Sequence, residues 1–327
     1  MMILDIILFA IGTGILLGGA DILVKGSAKL ARSFGISPLI IGLTLVAFGT
    51  SFPELSVSLL AALQGNSDIS IGNIVGSNIA NIGLILGIAS LLIPLQVGWS
   101  TIFIESPFMI FSAFLLFIFS FFTLTSGISR AEGLILLVFF VIFILYIFYM
   151  AKREKKETKL YRQYEKAYSD GKNFWKPTIM VLFGLLGVIG GAKFMVDSAI
   201  NIATTLGVSQ AVIALSIIAI GTSLPELVTS IVAAYKNEPA IAIGNIVGSN
   251  IFNILLIGGL SATISPLDIT TTMIFNMAVM IFFSIIFLIF AFTKREISRA
   301  EGAVLLLIYI LYIAYIYLAP NVEIFLL

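Results

Sequence analysis

Two glutamates stand alone as the charged residues of long apolar runs, and each sits in the same words. AFGTSFPELSVS at 47–58 returns as AIGTSLPELVTS at 219–230, and IGNIVGSNI at 71–79 returns letter for letter at 243–251. The offset is 172 without a gap, and 21 of the 35 positions from Ala47 to Asn81 are identical in the second copy. A charge at bilayer depth costs about 3 kcal/mol or more, so Glu54 and Glu226 are functional residues by default. Their equivalence in two copies is the pattern of one site built from both halves.

The neighbours of each glutamate are oxygen donors. Pro53 and Pro225 lack an N–H and release the carbonyls of Gly49 and Gly221 four residues earlier. Such carbonyls persist within a membrane only where protein or a cavity satisfies them. Ser51, Glu54 and Ser58 follow the i, i+3, i+7 spacing of one helical face, with Thr50 beside them; Thr222, Ser223, Glu226 and Ser230 repeat the set. Asn73, Ser77 and Asn81 lie four apart, as do Asn245, Ser249 and Asn253, giving each copy a second polar stripe. Gly72 with Gly76, and Gly244 with Gly248, form the small-xxx-small pattern of closely packed membrane helices. Hydroxyl back-bonding competes with ion contact for the threonines and serines, and Asn73, Asn78, Asn245 and Asn250 read as packing residues.

The chain has no cysteine and no histidine, which removes thiolate and imidazole ligands. An all-oxygen inventory suits hard cations, and Ca²⁺ in particular accepts six to eight oxygens in flexible geometry. Two carboxylates carry −2, which one Ca²⁺ or two monovalent ions neutralise. A site that is tolerable loaded and costly empty is a physical basis for obligatory exchange.

The elements that must position these groups are transmembrane helices. The chain is 60% hydrophobic and 11% charged, with a mean hydropathy of +1.14, far from a soluble domain's roughly 25% charged. The expected fold is all-α, with ten spans near 3–24, 37–62, 70–93, 101–123, 131–151, 178–197, 209–234, 242–263, 270–292 and 301–319. GGAD at 18–21 matches GGAK at 190–193, and ISRAEG at 128–133 returns at 297–302, so the repeat covers five helices per half. An odd number of crossings makes the second half inverted, the plan of many secondary transporters. The expected organisation is a first repeat over 1–151, a charged linker over 152–177 and a second repeat over 178–327. The linker holds nine of the 18 basic residues. Placing it in the cytoplasm puts 16 of them there, leaves only Arg130 and Lys193 outside, and makes both termini extracytoplasmic. The N-terminal stretch reads as a first span rather than a signal peptide. Asp21 with Lys25, and Lys193 with Asp197, are expected i, i+4 ion pairs, and Ser129 with Glu132, and Ser298 with Glu301, expected capping boxes.

GTS-x-PE followed by GN-I-VGSNI-x-N, in two copies, resembles the alpha repeats of the sodium/calcium exchangers in the cation/calcium antiporter superfamily, most of all their compact prokaryotic members. The resemblance implies a membrane antiporter rather than an enzyme, with Ca²⁺ and Na⁺ as transported ions, no cofactor, and the first and sixth helices sliding over a core. Residue by residue, it implies Ca²⁺ ligation by Thr50, Glu54, Thr222 and Glu226. It implies Na⁺ sites using Ala47, Thr50, Ser51, Glu54 and Ser77, and using Ala219, Thr222, Ser223, Glu226 and Ser249, the alanines through their carbonyls. Asn81 and Asn253 would border a central position. Some relatives carry aspartate at one of these two, which goes with protonation or a potassium requirement; asparagine at both favours potassium-independent exchange. The expected surroundings are the lipid bilayer of the cell membrane, with no nucleic acid partner, and a monomer would suffice. The alternatives are an H⁺/Ca²⁺ antiporter of the same fold and, less favoured, a passive cation channel.

Overall fold

The computed structural model describes residues 2–122, 127–162, 174–206 and 219–318. In chain order the helices are α1 (Met2–Phe34), α2 (Pro38–Thr50), α3 (Phe52–Leu63), α4 (Ser67–Leu92), α5 (Thr101–Ser120), α6 (Arg130–Arg162), α7 (Trp175–Thr205), α8 (Leu224–Tyr235), α9 (Pro239–Ile264), α10 (Thr271–Lys294) and α11 (Arg299–Leu318). Eight are long and apolar enough to cross a membrane, and the pair α2–α3, bent by 48°, makes a ninth among the described residues. Most of the first part of the expected span 209–234 lies outside those residues, and α8 is its second part. Helix α6 runs on to Arg162 and α7 starts at Trp175, so helix extends into both ends of the stretch read as a linker.

The helix ends follow local chemistry. Gly65 after α3 and Asn237 after α8 are both left-handed (φ +72° and 55°), the conformation a helix C-terminus needs and Gly or Asn tolerates. The Asn66 N–H then reaches the Ala61 carbonyl at 2.8 Å, and the Glu238 N–H reaches that of Ala233 at 2.9 Å. Both expected capping boxes form: Glu132 Oε2 accepts from the Ser129 N–H at 2.7 Å, and Glu301 Oε2 from the Ser298 N–H at 2.8 Å. Wider π-type turns occupy Gly42–Val46, Asn81–Leu86, Thr101–Glu105 and Phe252–Gly258. Such turns are rare and concentrate at functional segments.

The chain forms two compact units, each drawing on both halves of the sequence: residues 1–53 with 141–248, and 54–140 with 249–327. In the first unit α1 and α7, equivalent helices of the two repeats, lie antiparallel. Gly12, Gly19 and Gly26 of α1 face successively earlier parts of α7, near Met195, Val188 and Val181. A Cβ on Gly19 would sit 2.6 Å from the Val188 nitrogen, which is backbone and cannot yield locally. Gly19→Val is therefore expected to force the helices apart, at about 1–3 kcal/mol or more, and to lower the thermal unfolding midpoint in detergent. An unchanged midpoint would contradict this packing. Asp21 binds Lys25 at 2.7 Å and also Lys236 beyond α8, while Lys193 and Asp197 are both exposed.

The second unit shows its internal relation in two short strand pairs. β1 (Leu95–Gln96) pairs antiparallel with β4 (Glu296–Ile297), and β2 (Gly127–Ile128) with β3 (Leu267–Asp268). Each pair joins one repeat's strand to its counterpart's neighbour in the other. The packing of helix starts is doubled as well: a Cβ on Gly133 would meet the Gly259 carbonyl at 2.8 Å, and one on Gly302 the Gly87 carbonyl at 2.9 Å.

The small-residue expectation holds for one copy only. Cβ atoms on Gly244 and Gly248 would meet backbone of Leu39 and Leu43 at 2.8 Å. In the first copy, Gly72 would meet only the end of the Met273 side chain at 3.6 Å, and Gly76 nothing within 4 Å. Identical letters thus pack a backbone in one repeat and leave space in the other.

Candidate functional site

Both conserved-sequence words break the helix where proline requires it. Ser51 (φ −79°, ψ 8°) separates α2 from α3, and Ser223 (φ −89°, ψ 4°) separates the turn Ala219–Thr222 from α8. Each glutamate then falls in the first turn of the following helix, where the positive end of the helix dipole favours a carboxylate.

In the first unit the oxygens of the two repeats meet. The Ser51 hydroxyl donates to Glu226 Oε1 at 3.0 Å. Thr50 Oγ1 donates to Asn245 Oδ1 at 3.0 Å and lies 3.3 Å from the Ala47 carbonyl, so back-bonding and cross-repeat bonding share one hydroxyl. Asn245 Nδ2 donates to Ser230 Oγ at 3.0 Å and to the Glu226 carbonyl at 3.4 Å. Ala47, Thr50, Ser51, Ser223, Glu226, Ser230 and Asn245 are all buried, Glu226 completely; Thr222 is half-buried. Ala219 enters through the backbone of its turn.

The second unit repeats the frame around Glu54, which is 1% exposed. Asn73 Nδ2 donates to Ser58 Oγ at 2.9 Å and to the Glu54 carbonyl at 3.1 Å, the same two bonds that Asn245 makes. The asparagines read as packing residues therefore brace the glutamate-bearing helices. Ser77 back-bonds to the Asn73 carbonyl at 2.7 Å and accepts from Asn253 Nδ2 at 3.0 Å.

Around them the asparagines of both repeats form a reciprocal cluster. Asn78 Nδ2 reaches the Asn250 carbonyl at 3.3 Å, and Asn250 Nδ2 the Asn78 carbonyl at 3.4 Å. The same amides lie against sulfur, Asn78 at Met280 and Asn250 at Met109. Asn81 Nδ2 donates to Asn250 Oδ1 at 2.9 Å, and Asn253 Nδ2 to Asn78 Oδ1 at 3.1 Å. With their N–H groups held there, Asn81 Oδ1 and Asn253 Oδ1 are buried and accept no hydrogen bond. Unspent buried acceptors at both equivalent positions carry a penalty of about 1–3 kcal/mol each, which a cation would relieve. Ser249 is fully buried in the same stripe. Nothing here supplies nitrogen or sulfur ligands suited to a softer metal, and the donor set fits a hard cation.

The sequence pattern of the sodium/calcium exchanger protein family matches residues 4–149 and 176–318. The chain belongs to this family. The exchanger is 37% identical over 315 residues to the putative antiporter CaxA of Alkalimonas amylolytica, covering 95% of this chain and 98% of that one. It is 35% identical over 348 residues to the sodium/calcium exchanger MaX1 of Methanosarcina acetivorans, covering 97% and 99%. Among solved structures, the sodium-calcium exchanger NCX_Mj soaked with Na⁺ and without Ca²⁺ is similar, with a TM-score of 0.80 and 33% identity over 96% of this chain and 99% of that one. The family is one of membrane transporters, and its model match skips only the charged stretch between the repeats and the chain ends.

One buried carboxylate escaped the sequence reading. Glu105 of α5 is 1% exposed, between Thr101 and Ser106, which are wholly buried. The available signal was the Thr-x-x-x-Glu spacing it shares with Thr50–Glu54 and Thr222–Glu226.

Proposed function

We propose that this exchanger is an electrogenic Na⁺/Ca²⁺ antiporter that works by alternating access at a midplane site to which both repeats contribute. The observation that carries the reading is the bond from Ser51 of the first repeat to Glu226 of the second. Ser51 lies three residues before Glu54 in one broken helix, so a single short segment connects the two carboxylates chemically. Thr50, Glu54, Thr222 and Glu226 are assigned to Ca²⁺. Na⁺ is assigned to Ala47, Ser51 and Ser77 with Thr50 and Glu54, and to Ala219, Ser223 and Ser249 with Thr222 and Glu226. Asn81 and Asn253 border a central position through their buried amide oxygens. Oxygen sets beyond the two carboxylates leave room for more than two Na⁺ per Ca²⁺, which is the basis of the electrogenic assignment.

The ten spans form two inverted repeats of five, an assignment supported by the odd count in each sequence repeat and by the antiparallel course of α1 and α7. The Lys and Arg asymmetry supports a cytoplasmic 152–177, extracytoplasmic termini and the cell membrane as the location.

Calcium uptake into proteoliposomes, driven in turn by a sodium gradient, a proton gradient or neither, tests the function. Sodium-driven uptake that responds to an imposed membrane potential is expected. Uptake equal without any gradient would make the protein a channel, and proton-driven, sodium-independent uptake would make it an H⁺/Ca²⁺ antiporter; either result ends the proposal.

A further inference from the structure

Glu105 belongs to no motif of the duplicated site, yet its surroundings are composed in the same way. Thr101 and Glu105 are four residues apart, as are Thr50 and Glu54, and so share one helical face. Pro107 follows two residues later and has no N–H for the carbonyls behind it. The backbone over Thr101–Glu105 takes the wider π turn, as Gly42–Val46 does ahead of Thr50. Thr101 Oγ1 and Ser106 Oγ are buried, and neither has a hydrogen-bond partner. Two buried hydroxyl oxygens with spare lone pairs beside a buried carboxylate are a ligand set awaiting a cation, since each such group otherwise carries a desolvation penalty.

The other repeat argues against a purely structural role. Met109 and Met280 receive equivalent amides, from Asn250 and Asn78, which sets the local repeat offset at 171. At that offset Thr101 corresponds to Thr272, and Glu105 to Asn276, whose Oδ1 accepts from the Tyr312 hydroxyl at 3.2 Å. The fold is thus built at the equivalent place with a neutral amide, and the carboxylate is peculiar to the first repeat. Residues 101–122 contain no other charged residue.

We propose that Glu105, Thr101 and Ser106 form an accessory binding site for a monovalent alkali cation in α5, separate from the duplicated motif. One carboxylate supplies −1, which a monovalent ion neutralises and a divalent ion would overcompensate; the ligands are hard oxygens, as alkali ions require. The site lies one helical turn, about 6 Å along the axis, from Met109, which touches Asn250 of the asparagine cluster. An ion there is placed to bias the loading of that cluster from the first repeat alone.

Equilibrium binding of ²²Na⁺ and, in parallel, ⁸⁶Rb⁺ as a K⁺ analogue to the purified full chain in detergent tests the proposal, with and without saturating Ca²⁺. A Ca²⁺-resistant component is expected in the wild type and in Glu54→Gln. Glu105→Gln should lose that component and keep the Ca²⁺-displaceable one, and Thr101→Val should weaken it about tenfold, the effect of one lost hydroxyl ligand. The radiolabel that fills the component identifies Na⁺ or K⁺ as the ion. If Glu105→Gln is not monodisperse, Thr101→Val with Ser106→Ala takes its place under the same expectation. A wild type that binds neither label in the presence of Ca²⁺, or a component that survives these substitutions, overturns the site. Loss of the Ca²⁺-displaceable component in Glu54→Gln reports on the proposed function separately, because it does not involve Glu105.

Discussion

Glu226→Gln and Glu54→Gln are each expected to abolish sodium-driven calcium uptake while leaving the protein folded. The amide keeps the shape of the side chain and an acceptor oxygen, so the Ser51 hydroxyl retains its partner at 3.0 Å. What disappears is one of the two negative charges that balance Ca²⁺. A net charge at bilayer depth costs several kcal/mol, and several kcal/mol corresponds to a thousandfold or more in affinity. Stability should hold or rise, since a buried neutral amide is less costly than a buried carboxylate. Uptake in proteoliposomes, together with a thermal unfolding midpoint, separates the two effects. Wild-type flux in either variant would remove the carboxylates from the transport site.

Asn73→Leu and Asn245→Leu are expected to damage both stability and transport. Each asparagine donates to a serine hydroxyl at 2.9 or 3.0 Å and to the carbonyl of the glutamate itself at 3.1 or 3.4 Å. Leucine is of similar bulk but leaves those buried acceptors without donors, at about 1–3 kcal/mol for each group. Asn245 is the more consequential, because it is fully buried and also accepts from Thr50. Its loss should lower the unfolding midpoint further than loss of Asn73, and both variants should show weakened calcium uptake because the glutamate-bearing turn is no longer held. Equal midpoints and unimpaired uptake would show that the amides merely fill space.

The reading of Asn73 and Asn245 as packing residues was available from spacing, since they lie on the stripes of Ser77 and Ser249. Their bond to the turn that carries the glutamate was not, because it joins residues 19 apart whose approach depends on how two helices cross. Glu105 shows the limit differently. Near the start of a span, a glutamate reads as an interfacial residue until burial removes it from water, and burial is set by neighbours distant in sequence.

The sequence by itself determined the all-oxygen ligand inventory, the break at each GTS-x-PE, the duplication and the number of long apolar runs. These follow from residue type and local spacing, through proline's missing N–H, helical periodicity and the length a bilayer demands. Tertiary structure alone decided which oxygen finds which partner: Ser51 with Glu226, Asn78 with Asn250, and the unspent amide oxygens of Asn81 and Asn253. It also decided that Gly244 and Gly248 pack against backbone while Gly72 and Gly76, in the same words, do not. Hydrogen bonds and close contacts act over about 3–4 Å, so they depend on where separate segments are brought together, and identical local sequences acquire different neighbours.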